Sequence, residues 1–343
     1  MRKIFLLFVL LLTITSAGTL FAQRGGRAAE TMEVKIASPL PRESPWGRTL
    51  DRIAAEWNRI TSGQVILRAI HGGSEGDEEK MRQSLASNTI QAAVFTSLGL
   101  STIYPPIITL SAPFLIRTQE ELNAVMNEIQ DGLETRLNSG DYFMLAWSRA
   151  GFVNIYSKAP VVVPDELRRQ KIASGPEAAE MNTAFKTMGF QIEEASLTDM
   201  GQKVATGAVM AVYLPPAGAA AYQIHLELKN MFSMNIAPVL GGIVINQVTW
   251  KRIGSLNPRY QQDLLKVTRQ IAASLDESMQ KTNNDAIATM TRAGLTVTRP
   301  NQAQEQLWYA ELEKSTPVLL GTTYDRDLYQ QISSILTRYR GGR

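Results

Sequence analysis

From Met32 onward, short apolar runs alternate with stretches whose apolar residues recur at helical spacing, and this alternation constrains the chain more than any motif does. Val34 to Ala37 reads as a strand. Leu50, Ile53, Ala54, Trp57 and Ile60 then share one helical face, with Gly63 placed to close the helix. A strand over Val65–Ile70, a helix over Asp77–Ser87 and a strand over Ile90–Phe95 follow. Thr118 and Glu121 stand at capping-box spacing ahead of Leu122, Val125, Met126, Ile129, Leu133 and Leu137, which predicts the clearest helix in the chain. Tyr142–Trp147 and Phe152–Tyr156 are expected as two strands.

The second half keeps this rhythm. A helix is expected over Glu177–Met188, carrying Met181, Ala184, Phe185 and Met188 inward and closed by Gly189. A strand over Phe190–Glu193 and a short helix over Thr198–Thr206 lead into "GAVMAVYLPP", Gly207–Pro216. Between Ala208 and Leu214 only the Tyr213 hydroxyl is polar, and two prolines stop the strand. Val239–Asn246 reads as another strand, and a long helix over Pro258–Ala293 carries Leu264, Ile271, Leu275, Ile287 and Met290 on one face.

Strands separated by helices predict α/β layers. Two such series in 343 residues predict two lobes with a cleft between them. Lobe I is expected at 33–150, with part of 240–260 returning to it, and lobe II at 151–238. The helix at 258–293 would span both, and 294–343 would add a C-terminal strand and helices.

Arg2 and Lys3 precede the apolar run "IFLLFVLLLTI", with small residues at Ser16, Ala17 and Ala22, the layout of a secretory signal peptide at 1–22. Cleavage after Ala22 is expected, with Ala17 the alternative. The chain has no cysteine, which excludes disulfides, thiolate metal sites and lipidation at a cysteine. Its formal charge of +3 loses two positive charges with the leader, so nothing argues for a nucleic-acid partner. The two "RGGR" tracts, at 24–27 and 340–343, read as chain ends.

There are two histidines, His71 and His225, and no HExxH or GxxxxGK[ST] pattern, so neither metal nor cofactor is expected. "GGSEG", Gly72–Gly76, does match the nucleophile-elbow pattern, and Asp199 and His225 follow Ser74 in hydrolase order. A secreted serine hydrolase built on Ser74, Asp199 and His225 is therefore one alternative. Against it, the motif follows only the second strand, and no glycine-rich oxyanion loop precedes it. The competing reading is a strand-to-helix turn whose glycines supply φ > 0, with His71 on a loop and His225 on a helix surface.

Several stretches, in order, resemble the substrate-binding subunit of tripartite ATP-independent periplasmic (TRAP) transporters, the DctP-like family. "KIASPLPRESPWGRTLDRIAAEWNRITSGQVILRAIHGGSEGDEEKMRQSLASNTIQAAVF" follows that family's opening, and "LSAPFLIRTQEEL" is similar to its "lPFlf" segment. "PVVVPDELRRQKIAS" resembles "Pi-tpeDLkGlKiRv", and "VATGAVMAVYLPP" resembles "aLqtGvvDGxEnP". The resemblance spans about residues 33 to 300. It implies a two-lobed periplasmic solute-binding fold, hinge closure over a ligand, delivery to membrane permease subunits and no enzymatic activity.

In that family a carboxylate ligand is clamped by the arginine of "KiRv", a second in a "GxR" strand and the asparagine of "DGxEnP", a guanidinium fork suiting a carboxylate. This sequence departs at each place. Ala173 and Val153 stand at the two arginines, Leu214 at the asparagine, Tyr213 at the preceding glutamate and Met210 at the aspartate. An unpaired buried carboxylate is costly, whereas an apolar ligand gains about 0.8 kcal/mol per buried CH₂. The expected ligand is therefore hydrophobic or amphipathic, and the branch with such clefts implies a tetratricopeptide-repeat partner. Trp46, on the first strand-to-helix loop, Phe95 and Thr96, at a strand end, and Phe114, Trp147 and Phe152 are candidate pocket walls, with ordinary core as the competing reading. Ser174 could donate a hydrogen bond. The alternative within the same fold is a carboxylate anchored by Arg149.

Overall fold

Alternating strands and helices build the first half of the protein as the periodicity predicts. The computed structural model describes residues 31–175, 178–195 and 197–342, so the expected signal peptide lies outside the described residues. In chain order come β1 (Met32–Ala37), α1 (Pro45–Ile60), β2 (Val65–Ile70), α2 (Glu78–Ala86), β3 (Ala92–Thr96) and α3 (Ser97–Ile103). A 3-10 segment at Pro105–Ser111 precedes α4 (Gln119–Asn138) and β4 (Tyr142–Phe152). α1 begins where Ser44 caps the Gly47 N–H and Pro45 enters the first turn. Its inner face then buries Leu50, Ile53 and Trp57.

The second half supplies β5 (Asn154–Ser157), α5 (Pro164–Arg168), β6 (Ile172–Ser174), α6 (Ala179–Thr187), β7 (Ile192–Glu194) and α7 (Leu197–Ala205). β8 (Ala211–Leu214), α8 (Pro216–Ala221) and β9 (Asn230–Phe232) follow, the double proline ending β8 and opening α8. β10 (Pro238–Asn246), α9 (Gln247–Leu256), α10 (Pro258–Arg292), β11 (Thr296–Thr298), α11 (Gln302–Leu319) and α12 (Arg326–Gly341) complete the chain.

The strands form two sheets, ordered β2-β1-β3-β10-β4 and β11-β9-β5-β8-β6-β7. In the first, β1 runs parallel to β2 and β3, while β10 is antiparallel to β3 and β4. In the second, β6 is parallel to β7 and β8, and β5 is antiparallel to β8 and β9. The chain passes between sheets from β4 to β5 at Val153 and returns from β9 to β10. These two passages are paired: the Val153 N–H donates to the Ala237 carbonyl, and the Val153 carbonyl accepts from Ile236 N–H, both at 3.0 Å.

Two expectations need correction here. The strand expected to stop at Trp147 continues to Phe152, because Gly151 adopts φ +93° and carries the strand on through a register shift against β10. An expected lobe boundary at 150/151 therefore falls inside a strand. The capping box at Thr118 is only half made. Thr118 accepts from the Glu121 N–H at 3.1 Å, but the Glu121 carboxylate accepts from Arg117 N–H at 2.7 Å and from Arg340 at 2.8 Å.

α10 braces both sheets. Leu264, Ile271, Leu275 and Met279 join the apolar cluster of α1, β1 and β2, and Met290 joins the cluster of Tyr156, Ala173 and Val212. Trp57 Nε1 donates to Thr268 Oγ1 at 2.9 Å. A third cluster runs across both sheets and is centred on the fully buried Trp308 of α11. Its ring lies 5.5 Å from Phe114, 5.9 Å from Phe190 and 5.2 Å from Phe232.

The C-terminal helices are tied down by charge as well. Arg168, beside the second sheet, pairs with Glu311 of α11, and Arg340 of α12 grips Glu121 of α4. Burial alone would lift the Glu121 carboxyl, but the Arg340 guanidinium and the Arg117 N–H outweigh it and hold the group below its ordinary value of 4.5. Such a group stabilises the fold fully above the ordinary carboxylate range, and this contribution is lost as pH falls through the lower folded-state value. Arg340→Ala should therefore lower the thermal midpoint near neutral pH and flatten the stability profile on its acid side, from the ordinary carboxylate range downward. Thermal melts across a pH series test this; parallel profiles for the two proteins would show that the pair contributes nothing.

Candidate ligand cleft

In open α/β sheets, ligands bind beyond the carboxyl ends of parallel strands. Here those ends are Ala37, Ile70 and Thr96 in the first sheet, and Ser174, Glu194 and Leu214 in the second. The sheet pleat sorts the second-sheet candidates onto two faces. Ile172 pairs with Ala211 and Ala173 with Val212, so Ser174 and Tyr213 share one face while Ala173 and Leu214 share the other.

Ser174 and Tyr213 form the polar centre of their face. Ser174 Oγ and Tyr213 Oη lie 2.5 Å apart, and the tyrosine hydroxyl also donates to Asn182 Oδ1 at 3.3 Å. Asn182 Nδ2 in turn donates to the Gly175 carbonyl at 3.1 Å. Ser174 and Asn182 are each only 3 % exposed, and the Tyr213 ring stacks on Phe185 at 5.2 Å and 19°. The network is neutral and internally satisfied. It includes Asn182 of α6, which periodicity could not single out among that helix's polar residues.

On the other face Ala173 is 1 % exposed among Tyr156, Val209, Val212 and Met231, with Leu214 half-buried against the same cluster. Val153 is half-buried at the crossing between sheets, packed on the large shared cluster. Among the described residues no lysine or arginine occupies the positions at which the family resemblance places the clamp.

Other expected wall residues are placed elsewhere. Met210 lies just before β8, lining a groove of about 550 Å³ with Lys158, Pro160 and Arg169. Thr96 is exposed, but its N–H and hydroxyl both donate to the Glu78 carboxylate, at 2.6 and 2.8 Å. Phe95 and Phe114 are fully buried core residues; Phe114 has φ +60° and an N–H held by the Ile236 carbonyl. Trp46 is not on a loop: it sits in the first turn of α1 and is buried. Phe152 is buried beside a hinge hollow lined by Asn154, Asn235 and Asn283.

Trp147 and Arg149 face the long helix. Together with Gln130, Arg269 and Asp276 they line a hollow of about 150 Å³, and Trp147 Nε1 donates to Glu134 Oε1 at 3.0 Å. Asp276 accepts from the Arg149 N–H at 2.7 Å and from Ser148 Oγ at 3.0 Å. Burial pushes the Asp276 carboxyl up, against these two donors and the Arg149 charge. Arg149 thus already has a carboxylate neighbour, on the side of β4 that meets α10, and Nε of Arg149 is buried without a partner.

The hydrolase constellation does not assemble. Ser74 Oγ donates to the His71 carbonyl, the His71 ring pairs with Asp51 at 3.0 Å, and neither Asp199 nor His225 bonds to Ser74. Gly72, Gly73 and Gly76 have φ of +73°, +71° and +92°, as a glycine turn requires. His225 is buried in a 3-10 turn, not on a helix surface, and that burial, with Lys229 nearby, lowers its pKa. No metal-ligating cluster occurs among the described residues, and no helix there is long and apolar enough to cross a membrane.

Two mixed sheets, paired crossing strands and a helix bracing both define a two-lobed solute-binding architecture. The chain belongs to the bacterial extracellular solute-binding protein family 7, whose DctP model matches residues 36–319; the proteins of this family bind solutes and are not enzymes. Among solved structures it is similar to a TRAP periplasmic solute-binding protein from Ochrobactrum anthropi, with TM-score 0.81, 17% identity and coverage of 92% of this chain and 98% of the other. That protein has its C-terminus bound in its ligand pocket. A relative from Ralstonia eutropha with bound acetolactate has TM-score 0.78 and 19% identity, covering 89% and 99% of the two chains. One from Xanthobacter autotrophicus with bound galacturonate has TM-score 0.74 and 17% identity, covering 88% and 98%. None of the curated proteins matches.

Tyr213→Phe should leave Ser174 and Asn182 short of a partner and cost about 1–3 kcal/mol of stability. Urea titration checks this; an unchanged midpoint would mean that water or rearrangement replaces the tyrosine hydroxyl.

Proposed function

We propose that the protein is the extracytoplasmic solute-binding subunit of a TRAP-type transporter, closing two lobes over a hydrophobic or amphipathic ligand and delivering it to membrane permease subunits. The observation that carries the ligand class is the replacement of the whole clamp by Val153, Ala173 and Leu214. The polar atoms beside it are already engaged with one another in the Ser174–Tyr213–Asn182 network. A carboxylate held there would meet no cation and would lose its hydration uncompensated. An alkyl or isoprenoid chain would gain in proportion to its buried area. A tetratricopeptide-repeat partner follows only on this apolar reading, because the resemblance ties it to such clefts.

A second reading is favoured by the ligands of solved relatives, which include galacturonate, glucuronate and acetolactate, all carboxylates. It requires a cation elsewhere in the cleft. Arg149 is a poor choice, since it lines a hollow with Arg269 and Asp276 that shares no residue with the Ser174–Tyr213–Asn182 network. Native mass spectrometry of the exported protein, with organic extraction of the bound fraction, separates the readings. A lipid, long-chain acid or apolar metabolite retained near one-to-one is the expected result. An empty protein that gains thermal stability with galacturonate or succinate, and none with apolar compounds, would overturn the ligand class and leave the solute-binding role standing.

A further inference from the structure

One amide side chain, that of Asn283 in α10, holds both lobes at once. Its Nδ2 donates to the Ala150 carbonyl at 2.9 Å, near the end of β4, the strand leaving the first sheet. Its Oδ1 accepts from the Ala217 N–H at 3.0 Å, in the first turn of α8, which follows the last residues of β8 in the second sheet. That turn has no cap of its own, since the residue before it is Pro215 and offers no side-chain acceptor. Asn283 is 7 % exposed. The backbone makes room for it: a Cβ on Gly151, at φ +93°, would stand 2.5 Å from Asn283 Nδ2.

Two other polar grips of α10 reach the crossing strand, both on β4 alone, and Arg269 makes one of them by donating to the Leu145 carbonyl at 3.3 Å. Asp276 also makes two hydrogen bonds, but both go to β4, at Ser148 and Arg149. It fastens the helix to one lobe. Asn283 fastens the same helix to the strand as it leaves the first sheet and to the first helix beyond β8 in the second.

We infer that Asn283 is the positioning residue of the hinge, fixing the point about which the lobes rotate so that closure follows one path. A contact held by both bodies stays made only if the axis of rotation passes close to it, and this amide has no slack in either bond. Gly151 belongs to the same device, as the residue that lets the amide reach the strand. The inference rests on the proposed closure of the lobes and is independent of the ligand's chemistry.

The chain has no cysteine, so paired labels can be placed cleanly. Ala55→Cys on α1 and Ala205→Cys on α7, both exposed, put one spin label on each lobe. Distance distributions are recorded without ligand in four backgrounds: unchanged, Asn283→Ala, Asn283→Asp and Asp276→Ala. The aspartate at 283 keeps an acceptor for Ala217 and loses the donor to Ala150, so it tests the linkage in a nearly isosteric side chain and serves if the alanine variant does not fold. Loss of the linkage should broaden the distribution in both 283 variants while leaving its principal distances in place, because a contact kept in both orientations favours neither. Asp276→Ala, which removes as many bonds from one lobe alone, should leave the distribution as it was. Distributions in the 283 variants no broader than in Asp276→Ala would overturn the inference. Because no ligand is added, failure of the apolar-ligand reading would appear in the mass spectrum and not here.

Discussion

The pairing of the two crossing strands at Val153 is the constraint on which the architecture depends. Each strand that changes sheet must carry its peptide groups through a region where neither sheet continues, and buried peptide groups need partners. They find them in each other, through Val153 with Ile236 and Ala237. The two sheets are joined there by a short two-stranded ladder. Val153 is also a position at which the resemblance places a ligand-binding arginine. With valine there, the junction packs on apolar side chains of the large shared cluster.

Two further ties bracket this junction. α10 runs along one side and shares its apolar face between the clusters of the two sheets. The C-terminal helices form the other tie: Trp308 is wedged among Phe114, Phe190 and Phe232, with Glu311 reaching Arg168 near the second sheet and Arg340 reaching Glu121 in α4. Aromatic packing of this kind is short-ranged and intolerant of gaps, so it favours a limited set of lobe orientations. Exposed ion pairs such as Arg338–Glu128 add little beside it.

Local elements were legible in the sequence wherever a single periodicity decided them. β2 falls on Val65–Ile70 as expected, α10 ends one residue short of expectation, and the buried face of α4 is the one its spacing specifies. What the sequence hid was partnership across distance. Glu121 stands at capping-box spacing, yet its carboxylate is taken by Arg340, 219 residues away, and periodicity carries no trace of that competitor. Gly151 falls in the gap between the two expected strands, and in the structure it lets one strand pass an amide from another helix. Asn283 and Asp276 were invisible for a related reason, since reading a helix by its apolar stripe says nothing of which polar residues are buried.

The candidate cleft divides along the same line. That Val153, Ala173 and Leu214 stand where the resemblance places two arginines and an asparagine could be seen from residue types alone. Where the replacements point could not, because that depends on strand register. The pairing of β6 with β8 puts Ser174 and Tyr213 on one face and Ala173 and Leu214 on the other, so the polar atoms close a network among themselves while the apolar ones join the core. Here Ser174, Tyr213 and Asn182 have partners without any ligand. That face of the second sheet is thus neutral and satisfied within the protein.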